Sequence, residues 1–355
     1  MESDKPSTGL TRSASPLPPA LRWAGPLFAV GFGVGALARR AFYGAGLLKR
    51  VRGPLPVLSI GNLTAGGTGK TPATAWLAQG LLARGLAKKP AILMRGYGAA
   101  RPGELNDEAR ELARLVPEAA LVVNPRRVAG CLEAQRQGCD VALLDDGFQH
   151  WNLARDFDLV LLDATDPFGG GHLLPWGRLR EPLSALQRAD ALVLTRCDLA
   201  GGLEALTLRL AEMAPGKPVY RATHQPTQVR RLFEEAPPEP ALALSGKRLA
   251  AACALGNPEA FFATLRKLGT TLTQTRAFPD HHRFTREELG ELLEASTKSG
   301  AIALVVSEKD AVKLEALGDP EQSAPVLALG IKFALQDREE ELWTQIAAVL
   351  KKPRA

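Results

Sequence analysis

Aromatic residues are scarce in this chain of 355 residues, at 6%, and nowhere do basic and aromatic side chains interleave. Single-stranded nucleic-acid binders rest on alternating stacking platforms and cations, so no nucleic-acid partner is expected. Cysteine is also rare. Cys131, Cys139, Cys197 and Cys253 are scattered and form no C-x-x-C pair, which excludes the usual zinc and disulfide frameworks and leaves four small hydrophobes suited to a reducing cytoplasm. No internal repeat or coiled-coil heptad stands out. A long hydrophobic run is missing as well: the uncharged stretch from Trp23 to Ala38 would be only about 24 Å as a helix, short of the ~30 Å hydrocarbon thickness. It begins late and lacks a convincing small-residue cleavage site, unlike a signal peptide.

What is present is basic and globular. The net charge of +6 suits phosphorylated substrates or an anionic membrane, and 46% hydrophobic content over this length supports a large core, with two lobes favoured over one. Residues 1–19, rich in Ser, Pro and Thr, are expected to be a disordered extension. Residues 20–52 hold the short apolar run followed by Arg39, Arg40, Lys49, Arg50 and Arg52, as for a membrane-associated helix with a flank that meets anionic headgroups. A glycine-rich helix packed on the protein's own core fits the same residues.

From residue 55, apolar segments alternate with helical periodicity. Strands are predicted at Leu55 to Ile60, Ala91 to Met94, Ala120 to Val123, Val141 to Leu144, Leu159 to Leu162 and Ala191 to Thr195, with helices such as Ala73 to Arg84 and Arg126 to Gln137 between them. That alternation implies a parallel sheet covered on both faces. A second series, with strands at Arg248 to Leu255, Thr271 to Ala277, Ile302 to Val306 and Val326 to Leu329, follows a polar stretch. The expected plan is α/β throughout: a nucleotide-binding core over 53–222, a linker over 223–240 and a smaller α/β lobe over 241–355.

Gly61-Asn-Leu-Thr-Ala-Gly-Gly-Thr-Gly-Lys-Thr-Pro72 lies at the first strand-to-helix turn. Backbone N–H groups along Thr64, Ala65, Gly66, Gly67, Thr68 and Gly69 can curl round phosphate oxygens at a helix amino terminus, Lys70 can reach the β and γ phosphates, and the Thr71 hydroxyl can ligate Mg²⁺. Thr64 stands where the general phosphate-loop pattern has glycine. The motif is also similar to the loop of partitioning-type ATPases, but their signature lysine is replaced by Ala65.

Val141-Ala-Leu-Leu-Asp-Asp-Gly-Phe-Gln-His150 is a strand ending in two carboxylates, and Asp145 or Asp146 beside a phosphate loop can hold Mg²⁺. Gln149 and His150 suit either a site or a tied turn. Leu192-Val-Leu-Thr-Arg-Cys-Asp198 is similar to the guanine-reading element of GTPases with Arg196 in place of lysine, and a plain strand-end turn fits equally. Phe278-Pro-Asp-His-His-Arg-Phe284 puts two of the five histidines behind an aspartate, an arrangement better suited to accepting a hydroxyl proton than to holding a metal.

With Arg95-Gly-Tyr-Gly98, Asp107-Glu108, Leu173-Leu-Pro-x-Gly-x-Leu-Arg-Glu-Pro182, Gly256-Asn-Pro258, Asp280-His-His-x-Phe284 and Ser307-Glu-Lys-Asp-Ala-Val-Lys313, these motifs resemble, in order over residues 20–315, the tetraacyldisaccharide 4'-kinase family of the lipid A pathway. That family itself carries Thr-x-Gly-Gly-Thr-Gly-Lys-Thr, so Thr64 is a family variant. The resemblance implies that ATP, with Mg²⁺, donates its γ-phosphate to the 4'-hydroxyl of a tetraacyldisaccharide 1-phosphate lipid to form lipid IVA, at the cytoplasmic face of the bacterial inner membrane. It implies Asp107 and His281 as the catalytic pair, supported by Asp145 and Asp146. Arg95, Arg178 and Arg180 are candidate phosphate ligands, because guanidinium forks match phosphate geometry.

Three departures from the family pattern stand out: Asn106-Asp-Glu-Ala109 for Gly-Asp-Glu-Pro, Met94 for serine and Phe148 for leucine. The competing expectations are a GTPase or partitioning-type ATPase switch, which would turn over nucleotide without a lipid, and a non-catalytic nucleotide-binding adaptor.

Overall fold

The computed structural model describes residues 25–96, 105–320 and 324–352, without the side chains of Ala36 and Arg40. The expected extension over 1–19, the first two residues of the Trp23–Ala38 run, and Tyr97 and Gly98 lie outside the described residues.

The described residues open with helix α1 (Gly25–Gly44) and then build the first half of the sheet: β1 (Val57–Asn62), α2 (Lys70–Ala83), β2 (Pro90–Met94), α3 (Asp107–Leu115), β3 (Ala120–Val123), α4 (Arg127–Arg136), β4 (Val141–Asp145), β5 (Phe157–Asp163), β6 (Ala191–Thr195) and α5 (Leu203–Met213). Strands β3-β2-β4-β1-β5-β6 lie side by side and all parallel. Every residue of β1, β2, β4, β5 and β6 is buried, as continuous apolar runs covered on both faces require.

Thirteen-residue β7 (Val219–Arg231) carries the chain onward. It pairs parallel with β6 at its start and antiparallel along the rest with β12 (Val326–Leu335), so one sheet runs through the molecule. Pro226 cannot donate to the ladder, and the register slips beside it, leaving Thr227 as the extra residue. After the two-residue β8 (Glu239–Pro240) come β9 (Arg248–Cys253), α6 (Pro258–Lys267), β10 (Thr271–Ala277), α7 (Arg286–Lys298), β11 (Leu304–Ser307), α8 (Glu308–Glu315), β12 (Val326–Leu335) and α9 (Glu339–Leu350). The order β10-β9-β11-β12-β7 completes the sheet.

Local chemistry sets several helix starts. Thr285 and Glu288 form a reciprocal capping box on α7, and Asn257 caps α6 with Pro258 in its first turn. Terminal α9 returns to the first half, where Trp343 packs on Trp76 and occupies the space beside Gly80 that a Cβ would need. Helix α2 is thereby covered on both sides and is apolar nearly all round.

Candidate active site

A cavity of about 970 Å³ opens at the carboxyl ends of the strands, between the two halves of the sheet. Gly66, Gly67, Thr68, Gly69, Lys70 and Thr71 form one wall. Gly69 caps α2 at φ 85°, a left-handed conformation that favours glycine, and a Cβ there would overlap the buried His224 ring. Across the cleft, Gly256 lies so close to the Gly67 amide that it too has no room for a Cβ. The phosphate loop is therefore seated against both halves.

Thr64 and Ala65 brace the loop from behind. The Asn62 side-chain amide donates to Thr64 O (2.7 Å) and Thr68 Oγ1 (2.9 Å). Arg178 donates from Nε to Ala65 O (2.8 Å), lies 3.5 Å from Asp166 and fills the space beside Gly66. Its guanidinium thus supports the loop's outer side, whereas Arg95 and Arg180 line the cavity.

Asp145 ends β4 with its Oδ1 accepting from Thr74 Oγ1 (3.1 Å). Burial, with Glu108 and Asp146 adding, pushes its carboxyl up to about 7 against the pull of Lys70 and Thr74. Asp146 takes a left-handed φ of 51°, which swings its carboxylate onto Arg180 (2.7 Å) and toward Lys70 (3.6 Å). Burial works to raise it too, but those cations hold it below the usual carboxylate range. Gln149 donates to Asn62 O (2.9 Å), tying this turn to the phosphate loop.

The third group of residues joins α3 to the second half. Asn106, not Asp107, caps α3, its side chain accepting from the Ala109 amide (3.0 Å). Asp107 points to Lys313 of α8 (3.7 Å), while Glu108 and Glu111 face the cavity. Lys309 lies 3.9 Å from Glu108 and 3.0 Å from Asp280. Asp280 in turn accepts from the backbone N–H of His281, whose Nε2 stands 3.9 Å from its carboxylate. The carboxylate nearest His281 is thus Asp280, and no hydrogen bond or ion pair joins His281 to Asp107 among the described residues. Burial pushes Glu111 up to about 8, with Lys309 opposing.

Three cavity residues were not singled out by the sequence reading, His224, Glu111 and Arg127, while Arg39, expected on the membrane flank, and Glu181, within the Leu173–Pro182 motif, also line the cavity. Alternation along the polar β7 was the one signal for His224. Glu111 and Arg127 carried none that distinguishes them from surface charges. Arg39, Arg95, Arg127 and Arg155 surround His150, and burial together with those charges pushes its ring down to about 4. An uncharged imidazole among four guanidiniums leaves this corner strongly electropositive. Asp198 lies outside the cavity and pairs with Lys267 (2.9 Å), while Arg196 lines it, paired with Asp163. The likeness to a guanine-reading element is therefore not reproduced in space.

No set of three or more His, Cys, Asp or Glu residues that could cage a metal occurs among the described residues. Thr71, Asp145 and Asp146 nonetheless bring hard oxygen donors to one wall beside Lys70. That is the donor set Mg²⁺ takes when phosphates supply the remaining ligands.

Residues 21–351 match the family model described as tetraacyldisaccharide-1-P 4'-kinase. A tetraacyldisaccharide 4'-kinase from Anaeromyxobacter sp. (strain Fw109-5) is 45% identical over 306 residues, covering 80% of each chain. One from Geobacter metallireducens is 39% identical over 326 residues, covering 87% of this chain and 90% of its own. Among solved structures, LpxK from Aquifex aeolicus in complex with ATP superposes with a TM-score of 0.70 at 31% identity, covering 93% of this chain and 99% of that one.

Proposed function

The chain belongs to the tetraacyldisaccharide-1-P 4'-kinase family, and from that premise we propose that it transfers the γ-phosphate of ATP to the 4'-hydroxyl of a tetraacyldisaccharide 1-phosphate. The observation that carries this reading is one cavity lined by the phosphate loop, Asp145, Asp146 and His281 and also by Phe32 and Gly35 of α1. A donor held at one end and a lipid entering at the other would meet at the acidic strand end.

Each residue then has a task. Amides of Gly66 to Gly69 and the Lys70 ammonium bind the phosphates and offset charge that spreads over the transferring group. Thr71 and Asp145 would hold Mg²⁺, with Asp146 beside them, and the ion would supply positive charge against the phosphates. Arg180 fixes Asp146 toward Lys70. The hydroxyl proton passes to the set built by the first turn of α3 and the 279–282 loop. His281, positioned by Asp280, is the acceptor, and Glu108 lines the same cavity. The electropositive corner of Arg39, Arg95 and Arg127 suits the substrate's own 1-phosphate.

Helix α1 supports placement at a membrane. Leu27, Phe28, Val30, Val34 and Leu37 are exposed along it, with basic residues after its end. No helix among the described residues is long and apolar enough to cross a membrane, so we take α1 to lie in the interface of the inner membrane's cytoplasmic face. The test is transfer from γ-labelled ATP to the lipid in detergent micelles. Labelled lipid from the wild type and almost none from Lys70→Ala supports the reading, and nucleotide hydrolysis that leaves the lipid unlabelled overturns it.

A further inference from the structure

Although much of α1 is exposed, its carboxyl end is fastened to the turn that carries the acidic pair. Tyr43 stacks on Trp151, with ring centroids 5.6 Å apart and an interplanar angle of 20°. Trp151 is buried, lines the cavity and follows Asp145-Asp146-Gly-Phe-Gln-His150 directly. The Arg188 guanidinium lies over the Trp151 ring at 4.2 Å and over Phe148 at 4.4 Å.

Arg188 does not stop at the rings. It makes a two-pronged pair with the buried Glu181 (2.8 and 3.1 Å) and donates to Phe148 O (3.3 Å). Glu181 adjoins Arg180, the residue that grips Asp146. Beyond α1, Val51 donates to Asn152 O (2.7 Å) and accepts from the Ala154 amide (2.9 Å), so the chain just after Trp151 is fixed to the segment that follows the helix. Stacked rings and a desolvated guanidinium resist sliding, and Arg188 can sit on both rings only in one arrangement.

We propose that Tyr43 and Trp151 are positioning residues for the lipid acceptor, coupling the seating of α1 to the placement of Arg180 and Asp146 through Arg188. A helix that lies where the acyl chains enter is thereby geared to the carboxylate beside the transferring phosphate. The phosphate loop has its own supports, Arg178 behind it and Gly256 across the cleft, and does not depend on this stack.

The inference rests on the lipid-kinase reading, and Tyr43→Ala tests it in the full chain. Expected is an apparent KM for the tetraacyldisaccharide 1-phosphate raised about three- to tenfold, the loss of one aromatic stack, with the KM for ATP unchanged within about twofold. Tyr43→Phe keeps the ring and restores the wild-type value, because stacking is the interaction invoked. Binding to anionic phosphatidylglycerol vesicles stays at the wild-type level for Tyr43→Ala. An unchanged lipid KM overturns the inference, as does an equal rise for both substrates, which marks general loosening, or a rise that tracks lost vesicle binding, which marks anchoring alone. A wild type that leaves the lipid unlabelled instead defeats the kinase reading. Trp151→Phe, with a smaller ring in the same stack, should move the lipid KM in the same direction.

Discussion

Replacing Asp145 by asparagine should make the ligand-free protein more stable at neutral pH while abolishing transfer. The carboxyl rises from its ordinary 3.8 to about 7 because burial disfavours its charge. Between those values the folded state keeps the proton and the unfolded chain loses it, so stability falls as pH rises through this window and levels off above about 7. At about 1.4 kcal/mol per pH unit the ceiling is about 4 kcal/mol, and relaxation around the site brings the expected loss to about 1–3 kcal/mol. Asparagine has no proton to lose and keeps an oxygen for Thr74 Oγ1 (3.1 Å). Urea unfolding of wild type and Asp145→Asn at pH 4.5, 6 and 8, without nucleotide or Mg²⁺, measures the difference directly. The variant's advantage should be under about 1 kcal/mol at pH 4.5 and largest at pH 8. An advantage that does not change with pH, or none at pH 8, refutes the reasoning.

Gly69→Ala should weaken ATP binding at least about tenfold and cost about 1–3 kcal/mol of stability, since a side chain there is strained at φ 85° and meets His224; nucleotide titration and thermal unfolding check both. Gly256→Ala, which must push back Gly67, should raise the KM for ATP while leaving the secondary structure seen by circular dichroism unchanged. Lys70→Ala should lower kcat by about a hundredfold or more with little change in melting temperature, because Arg180 still satisfies Asp146. Glu108→Gln should lower kcat more than its neighbour Glu111→Gln, whose carboxyl already holds a proton below about pH 8 and so supplies less charge; steady-state assays at pH 7 compare the two.

Much of the first half was legible because its strands, apart from the partly exposed edge strand β3, are buried on both faces. An uninterrupted apolar run between turn residues leaves few other readings, and Ala120 to Val123 and Ala191 to Thr195 coincide with β3 and β6. Strand β7 was not legible. It is polar along much of its length, carries Pro226, and gains its place from pairing with β12, which the local sequence does not encode. Helix α8 was hidden within the Ser307 to Lys313 motif, where charged residues gave no apolar stripe.

The phosphate loop could be read at the level of the motif, since glycines, lysine and helix start are all local. Which residues face the phosphates could not: Thr64 and Ala65 turn away, and Arg178 braces the loop from outside. The same limit applies to the acids of α3. Successive helical side chains diverge by about 100°, so Asp107 and Glu108 point to different partners, and only the position of α8 decides that Asp107 meets Lys313. Gearing of α1 to the acidic turn depends on contacts between residues distant in the chain, Tyr43 with Trp151 and Arg188 with Trp151, which no local pattern records.

The measurement that bears most directly on the whole account is identification of the product. Intact protein is incubated with ATP, Mg²⁺ and the tetraacyldisaccharide 1-phosphate in micelles, and the lipid is analysed by phosphorus–proton correlation spectroscopy. A second phosphate ester on the 4' carbon, formed by the wild type and lost in His281→Ala, is the predicted result. Nucleotide turnover with no new ester, or an ester at another hydroxyl, would contradict it.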